Sequence, residues 1–141
     1  MWTLSDSWSG TIYIKGYTAP TKLGVTQKQA DTADTITGAA TVTGGTPYAF
    51  EWSSDGSAYG LRVAGTELTL TTESGGNSGD WFADVSPRRY FMLGAWPHDY
   101  TTSDYNAMKV SAVMVFDAPL SAQDRAELAV WVDDYYGLSL S

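Results

Sequence analysis

The 141-residue sequence contains no cysteine and only one histidine, His98. Without cysteine, the chain can form neither a disulfide framework nor a thiolate metal site. With a single histidine, it has little material for a nucleophilic triad. The nucleophile-elbow, phosphate-loop and dinucleotide-binding motifs are also missing. We therefore expect a protein that is not an enzyme and has no catalytic residues.

Long apolar runs and basic residues are also scarce. No apolar stretch approaches the roughly 20 residues that a membrane-spanning helix needs. The first ten residues, MWTLSDSWSG, have neither a basic nor an apolar region and so predict no signal peptide. Sixteen acidic residues face eight basic ones, which gives a net charge of −8. A field of that sign repels phosphate, so we expect no nucleic-acid partner and no membrane insertion.

What the sequence does contain favours strands joined by tight turns. It has 14 glycines and 17 threonines, and apolar residues alternate with polar ones in several stretches. Residues 8–20 predict a strand, and residues 21–45 predict a short strand, a loop at 30–34 and one or two weak strands. Residues 47–72 predict a three-stranded antiparallel meander with turns at Asp55-Gly56 and Ala64-Gly65.

The second half alternates between polar loops and apolar strands. Residues 90–97 predict a strand between two loops, 73–89 and 96–106. Residues 107–117, AMKVSAVMVFD, are apolar on both faces of a predicted strand. Strands of that kind lie inside a sheet rather than at its edge. We expect this segment to be a central strand.

One amphipathic helix is predicted near residues 121–135. Ser121 is its candidate N-cap, with Asp124 three residues later in a variant of the capping box. Gly137 is the expected stop. An apolar stripe at helical spacing is expected to pack on the sheet, with Trp131 buried. The stripe consists of Leu128, Trp131, Val132 and Tyr135.

The closing sequence VFDAPLSAQDR, followed by the helix and YGL, resembles the C-terminal signature of laminin-G-like, concanavalin A-like domains. YGLRVAGTELT is also similar to a hairpin of that family, with Ala64 where an aspartate is usual. The resemblance covers about residues 47–138. It implies an all-β fold, an antiparallel two-sheet jelly-roll-type sandwich with one short C-terminal helix, as a single domain over residues 1–141.

Enzymes with this fold usually carry an E-x-D-x-E strand or a Gln-x-His strand. Neither string occurs here, and the four glutamates are isolated in sequence. Short domains of this kind resemble accessory proteins of phage virions, such as capsid decoration, tail or fibre components. We therefore expect a virion assembly module, homo-oligomeric or part of a larger particle. The alternative is an extracellular carbohydrate-binding module, and the third reading is a degenerate glycan-active enzyme.

The two polar loops are the expected contact surface for a protein partner or a glycan. Exposed aromatic side chains among acids and amides suit both kinds of partner. The candidates are Trp81, Phe82, Trp96, His98, Asp99, Tyr100, Asp104, Tyr105 and Asn106. Packing inside the fold is an alternative role for the aromatic ones.

No cofactor is expected, although Ca²⁺ is a candidate because it prefers oxygen ligands. One loop offers Asn77, Asp80 and Asp84, and the other offers Asp99, Asp104 and Asn106. Neither set has the spacing of a defined calcium motif. The competing interpretation is that these are solvated loop acids.

Overall fold

The computed structural model describes residues 2–7, 10–18, 21–29, 32–40, 45–81, 84, 90–93, 96–98, 101–103 and 109–138. Side chains are described for residues 24–26, 34–40, 45–81, 84 and 109–138. This part of the chain contains eleven strands and one helix. In chain order they are β1 (Trp2–Ser7), β2 (Gly10–Thr18), β3 (Thr21–Gln29), β4 (Thr32–Gly38), β5 (Phe50–Ser54), β6 (Tyr59–Val63), β7 (Thr66–Glu67), β8 (Leu70–Ser74), β9 (Tyr90–Leu93), β10 (Trp96–His98), β11 (Thr101–Ser103) and α1 (Ala122–Tyr136).

The largest sheet has six antiparallel strands in the order β8-β4-β3-β2-β1-β9. Its first four strands along the chain form a meander, in which Val25 of β3 lies opposite Ile14 of β2 and Ile36 of β4. The strand predicted at 8–20 is confirmed as β2. The loop predicted at 30–34 is wrong in part, because β4 begins at Thr32. Its threonines supply β-propensity without the large apolar residues that make a strand easy to recognise.

A second, three-stranded sheet has the order β5-β6-β7. It confirms the predicted meander and both of its turns. Ala64 and Gly65 have φ angles of 47° and 74°, which is the backbone of a type I′ hairpin turn. The third strand of the meander is shorter than predicted, because the chain leaves this sheet after Glu67 and enters the large sheet as β8.

The buried core joins the two sheets. Val25 and Ile36 of the large sheet form one cluster with Tyr59 and Leu61 of the small sheet. Leu68, in the link between the sheets, packs against this cluster. A Cβ atom on Gly38 would stand 2.6 Å from the Leu68 side chain, so the close approach of this link depends on glycine. The expected all-β class is therefore confirmed as a β-rich fold of antiparallel sheets with one helix.

The helix has the predicted ends. Ser121 is its N-cap, and its Oγ accepts a hydrogen bond from the Asp124 amide at 3.1 Å. The Asp124 carboxylate accepts a bond from the same hydroxyl at 2.7 Å. Gly137 ends the helix at φ 66°, with its amide bonded to the Asp133 carbonyl at 2.8 Å. Local capping chemistry was sufficient to locate this element.

The predicted packing of the helix is wrong. Trp131 is 46% exposed, and no helix residue is buried. The central strand expected at 107–117 is also wrong, because residues 109–117 have no strand pairing and are exposed; residues 107 and 108 lie outside the described part. An apolar pattern shows that a segment favours burial. It cannot show which surface the segment will contact. A strand also forms only beside a neighbouring strand that completes its backbone hydrogen bonds.

Candidate functional site

Of the nine residues predicted as the contact surface, only Trp81 has a described side chain. Trp96 and His98 lie in β10, opposite Ser103 and Thr101 of β11. The loop predicted at 96–106 therefore contains a two-stranded hairpin. The remaining candidates lie outside the described residues: Phe82, Asp99, Tyr100, Asp104, Tyr105 and Asn106.

The first predicted loop, 73–89, is described at residues 73–81 and 84. Residues 73 and 74 belong to β8, so the loop begins later than predicted, and its described part is held against the end of the small sheet. The Tyr59 amide donates to Asn77 Oδ1 at 2.8 Å, and the Tyr59 hydroxyl donates to the Asp80 carbonyl at 2.6 Å. The Ser54 hydroxyl donates to the Gly79 carbonyl. Gly79, at φ 66°, lies so close to the Asp55–Ala58 turn that a Cβ atom would stand 2.4 Å from the Ala58 nitrogen. The loop is thus built onto the sheet.

The anchored loop positions the Trp81 ring against the aromatic residues of the small sheet. Its ring lies 4.7 Å from that of Trp52, centroid to centroid, and the Trp52 ring lies 6.1 Å from that of Tyr59. Trp81 is only partly exposed. Packing is therefore one role that Trp81 performs, and a contact role for it remains a prediction.

Burial also affects the chemistry of Tyr59. It raises the pKa of the Tyr59 hydroxyl well above its ordinary value, and the nearby Asp80 carboxylate adds to the rise. This phenol remains neutral at physiological pH and serves as a hydrogen-bond donor to the loop.

The loop acids considered for calcium take part in hydrogen bonds of the fold. Asp80 Oδ2 accepts from the Ser78 hydroxyl at 2.7 Å, and Asp84 Oδ2 accepts from the Trp81 amide at 2.6 Å. Asn77 Oδ1 is bonded to Tyr59. Among the described residues, no group of three or more His, Cys, Asp or Glu side chains could hold a metal ion. The second calcium set, in the 96–106 loop, lies outside the described side chains.

A row of side chains with alternating charge extends from the small sheet to the helix. Arg125 Nε lies 2.9 Å from both carboxylate oxygens of Glu51. Glu51 also accepts from Arg62 at 3.1 Å, and Arg62 reaches Glu67 at 2.6 Å. Arg125 in addition donates to the Leu120 carbonyl at 2.9 Å. Sequence reasoning missed this network, because Arg125 is distant in the chain from the other three residues and no sequence pattern connects it to them.

An open polar cleft of about 220 Å³ lies along this charge network. Its wall includes the Asp55 turn, where one carboxylate oxygen accepts from the Ser57 hydroxyl and from two backbone amides. These hydrogen bonds, that of the hydroxyl foremost, hold the pKa of Asp55 below its ordinary value. The lining residues are Ser53, Asp55, Ala58, Tyr59, Gly60, Arg62, Glu67 and Arg125.

Among the described side chains, a run of exposed apolar residues lies away from this cleft. We call residues 109–117 the C-terminal apolar segment; it holds seven uncharged residues between Lys109 and Asp117. Its large side chains are between 37% and 64% exposed. They are Val110, Val113, Met114, Val115 and Phe116. In the helix that follows, Trp131 stacks on Tyr135 with ring centroids 5.4 Å apart, and Tyr135 is 71% exposed.

Comparison with known proteins assigns no family. No family model matches the chain, and neither curated proteins nor solved structures give a significant match. In the described part of the chain, no helix is long and apolar enough to cross a membrane.

Proposed function

We propose that this protein is a non-catalytic assembly module, a structural accessory of a virion such as a capsid-decoration, tail or fibre component. The observation that supports this proposal is the exposure of the C-terminal apolar segment. Monomeric soluble proteins rarely expose contiguous apolar surface of this kind, and where they do it commonly marks an interaction site. The net charge of −8 makes a protein partner more favourable than nucleic acid.

The proposed fold is the laminin-G-like, concanavalin A-like sandwich that the C-terminal signature resembles. A core shared by two antiparallel sheets supports it, as do the capped helix and its Gly137 stop. In this proposal the segment and the helix, rather than the two loops alone, carry the contact surface. The 96–106 loop remains part of the proposal through Trp96 and Tyr100.

Particle incorporation tests the proposal. The chain is expressed with a tag in cells producing the virus, and particles are separated by sedimentation. We expect wild type in the particle fraction and Met114→Asp/Phe116→Asp in the low-mass fraction, because charge disfavours burial of an apolar contact. Thr46→Asp, which adds charge at an exposed position outside both the segment and the helix, is the control and should still be incorporated. Wild type confined to the low-mass fraction contradicts the proposal.

A second candidate function is glycan binding, favoured by the polar cleft beside Tyr59, Arg62 and Arg125. Sugars are held by fixed hydrogen-bonding groups together with an aromatic face. A glycan array tests it with wild type, with Asp55→Ala in the wall of the cleft, and with Trp96→Ala/Tyr100→Ala in the 96–106 loop. Sugar binding by wild type that is lost in these variants, together with wild type confined to the low-mass fraction, supports this function in place of assembly.

A further inference from the structure

The C-terminal apolar segment has opposite charges at its two ends. Lys109 opens it, Asp117 closes it, and both are exposed. The seven residues between them carry no charge, and the segment is locally neutral although the whole chain carries −8. Such a stretch can approach a second copy of itself without bringing like charges together.

The position of these charges selects one arrangement of two copies. In an antiparallel pair centred on Val113, a residue that precedes Val113 by some number of positions in one copy faces the residue that follows Val113 by the same number in the other copy. Lys109 of each copy then lies opposite Asp117 of the other, so two oppositely charged pairs close the two ends. A parallel pair would instead place lysine opposite lysine and aspartate opposite aspartate, which is unfavourable.

The same register matches the apolar residues. In this register Val110 lies opposite Phe116, and Ala112 lies opposite Met114. Directly opposite residues of an antiparallel pair lie on the same side of the sheet, so these four side chains of each copy share one side. These eight residues from two copies form one continuous apolar face. Apolar cross-strand pairs stabilise a sheet, and the backbone groups of each segment complete those of the other.

We propose that two copies of this chain associate through antiparallel pairing of residues 109–117, with Lys109 opposite Asp117 at both ends. This inference rests on the assembly function proposed above and names its first partner as a second copy. The interface is isologous, since the same segment contributes on both sides of a two-fold axis. A lone two-stranded ribbon is marginally stable, so the free dimer is weak and its apolar face is available to the larger particle.

Charge reversal tests the register directly by sedimentation equilibrium or native mass over a concentration series. Lys109→Asp places acid opposite acid, and Asp117→Lys places lysine opposite lysine. Each single variant should raise the dimer dissociation constant by at least about tenfold. An equimolar mixture of the two variants should restore the dimer as a heterodimer, because each lysine again faces an aspartate. The double variant Lys109→Asp/Asp117→Lys should restore the homodimer.

Asp134→Lys is the matched control, a charge reversal on the exposed helix that should leave dimerisation unchanged. A wild-type chain that stays monomeric overturns the inference, as does a dimer that tolerates each single reversal. Failure here is separable from failure of the proposed function. A monomer that still enters particles refutes only the dimer, whereas a charge-sensitive dimer that never enters particles refutes only the virion role.

Discussion

Arg125 of α1 and Glu51 of β5 are 74 residues apart in sequence, and the Arg125 Nε lies 2.9 Å from both oxygens of the Glu51 carboxylate. Both side chains are about three-quarters buried. No helix residue is fully buried, and this ion pair links the helix to the small sheet. The position of the helix therefore depends in part on polar contacts.

Removing this link should destabilise the protein measurably. Arg125→Ala should lower the free energy of unfolding by about 1–2 kcal/mol, since a hydrogen bond to a charged group contributes at this level when partly shielded. Chemical denaturation of Arg125→Ala, Glu51→Ala and the double variant gives the coupling energy, which we expect near 1 kcal/mol. Glu127→Ala is the control, because the Glu127 carboxylate accepts its hydrogen bond from Gln123 of the same helix, at 3.0 Å. A coupling energy of zero means that the pair does not hold the helix.

Gly79 should be the most sensitive glycine of the anchored loop. Gly79→Ala combines a positive φ with a Cβ placed 2.4 Å from backbone, whereas Gly56→Ala, at φ 84°, meets open space. We expect Gly56→Ala to cost about 1–2 kcal/mol through backbone strain alone. Gly79→Ala should cost about 1–3 kcal/mol more through overpacking. Melting curves that coincide for the two variants would show that the loop does not lie against the turn.

Ala64 offers a stabilising change. At φ 47° it is strained, and Ala64→Gly should raise the free energy of unfolding by about 1 kcal/mol. Ala126→Gly, in the exposed helix, is the control and should lower stability by a similar amount. Thermal unfolding checks both signs. A loss of stability in Ala64→Gly is the contradicting result.

The raised pKa of Tyr59 predicts a loss of stability in alkaline solution. The folded state keeps its proton above the ordinary tyrosine pKa, while the unfolded state loses it. Stability is therefore fully present below the ordinary value, about 10, and falls as pH rises above it. Urea unfolding from pH 8 to 11 should show a slope approaching 1.4 kcal/mol per pH unit from this group. Tyr59→Phe should remove that contribution, and an unchanged slope would refute it.

Trp131→Ala should cost less than about 1.5 kcal/mol, because the ring is half exposed and loses chiefly its stack on Tyr135. A tryptophan buried in a core would cost about 3–5 kcal/mol. Leu61→Ala is the comparison, since Leu61 is fully buried and should cost about 2–5 kcal/mol. These values apply to dilute protein, measured by chemical denaturation. A cost for Trp131→Ala as large as that for Leu61→Ala would place the helix in the core.

The elements that local chemistry controls could be predicted from the sequence. The alternation of Tyr48, Phe50 and Trp52 with the Asp55-Gly56 turn predicted a hairpin, and Ser121 with Gly137 fixed the helix ends within a residue. These features need only neighbouring residues: a turn that tolerates positive φ, or an oxygen that caps free amides. The β-rich class followed from the same signals.

Which surfaces meet could not be predicted from local sequence, because it depends on the three-dimensional arrangement of the sheets and the helix. Leu68 and Leu70 fall in one alternating run, yet the chain divides there between two sheets, because each sheet supplies neighbours for only part of the run. The Arg125–Glu51 pair has no local signature, since electrostatic partners are chosen by proximity in space. The apolar pattern of residues 109–117 favours burial, but it is the same whether the contacting surface belongs to this chain or to another. Hydrophobic burial is non-directional, so the pattern could not determine that the segment stays exposed in this chain.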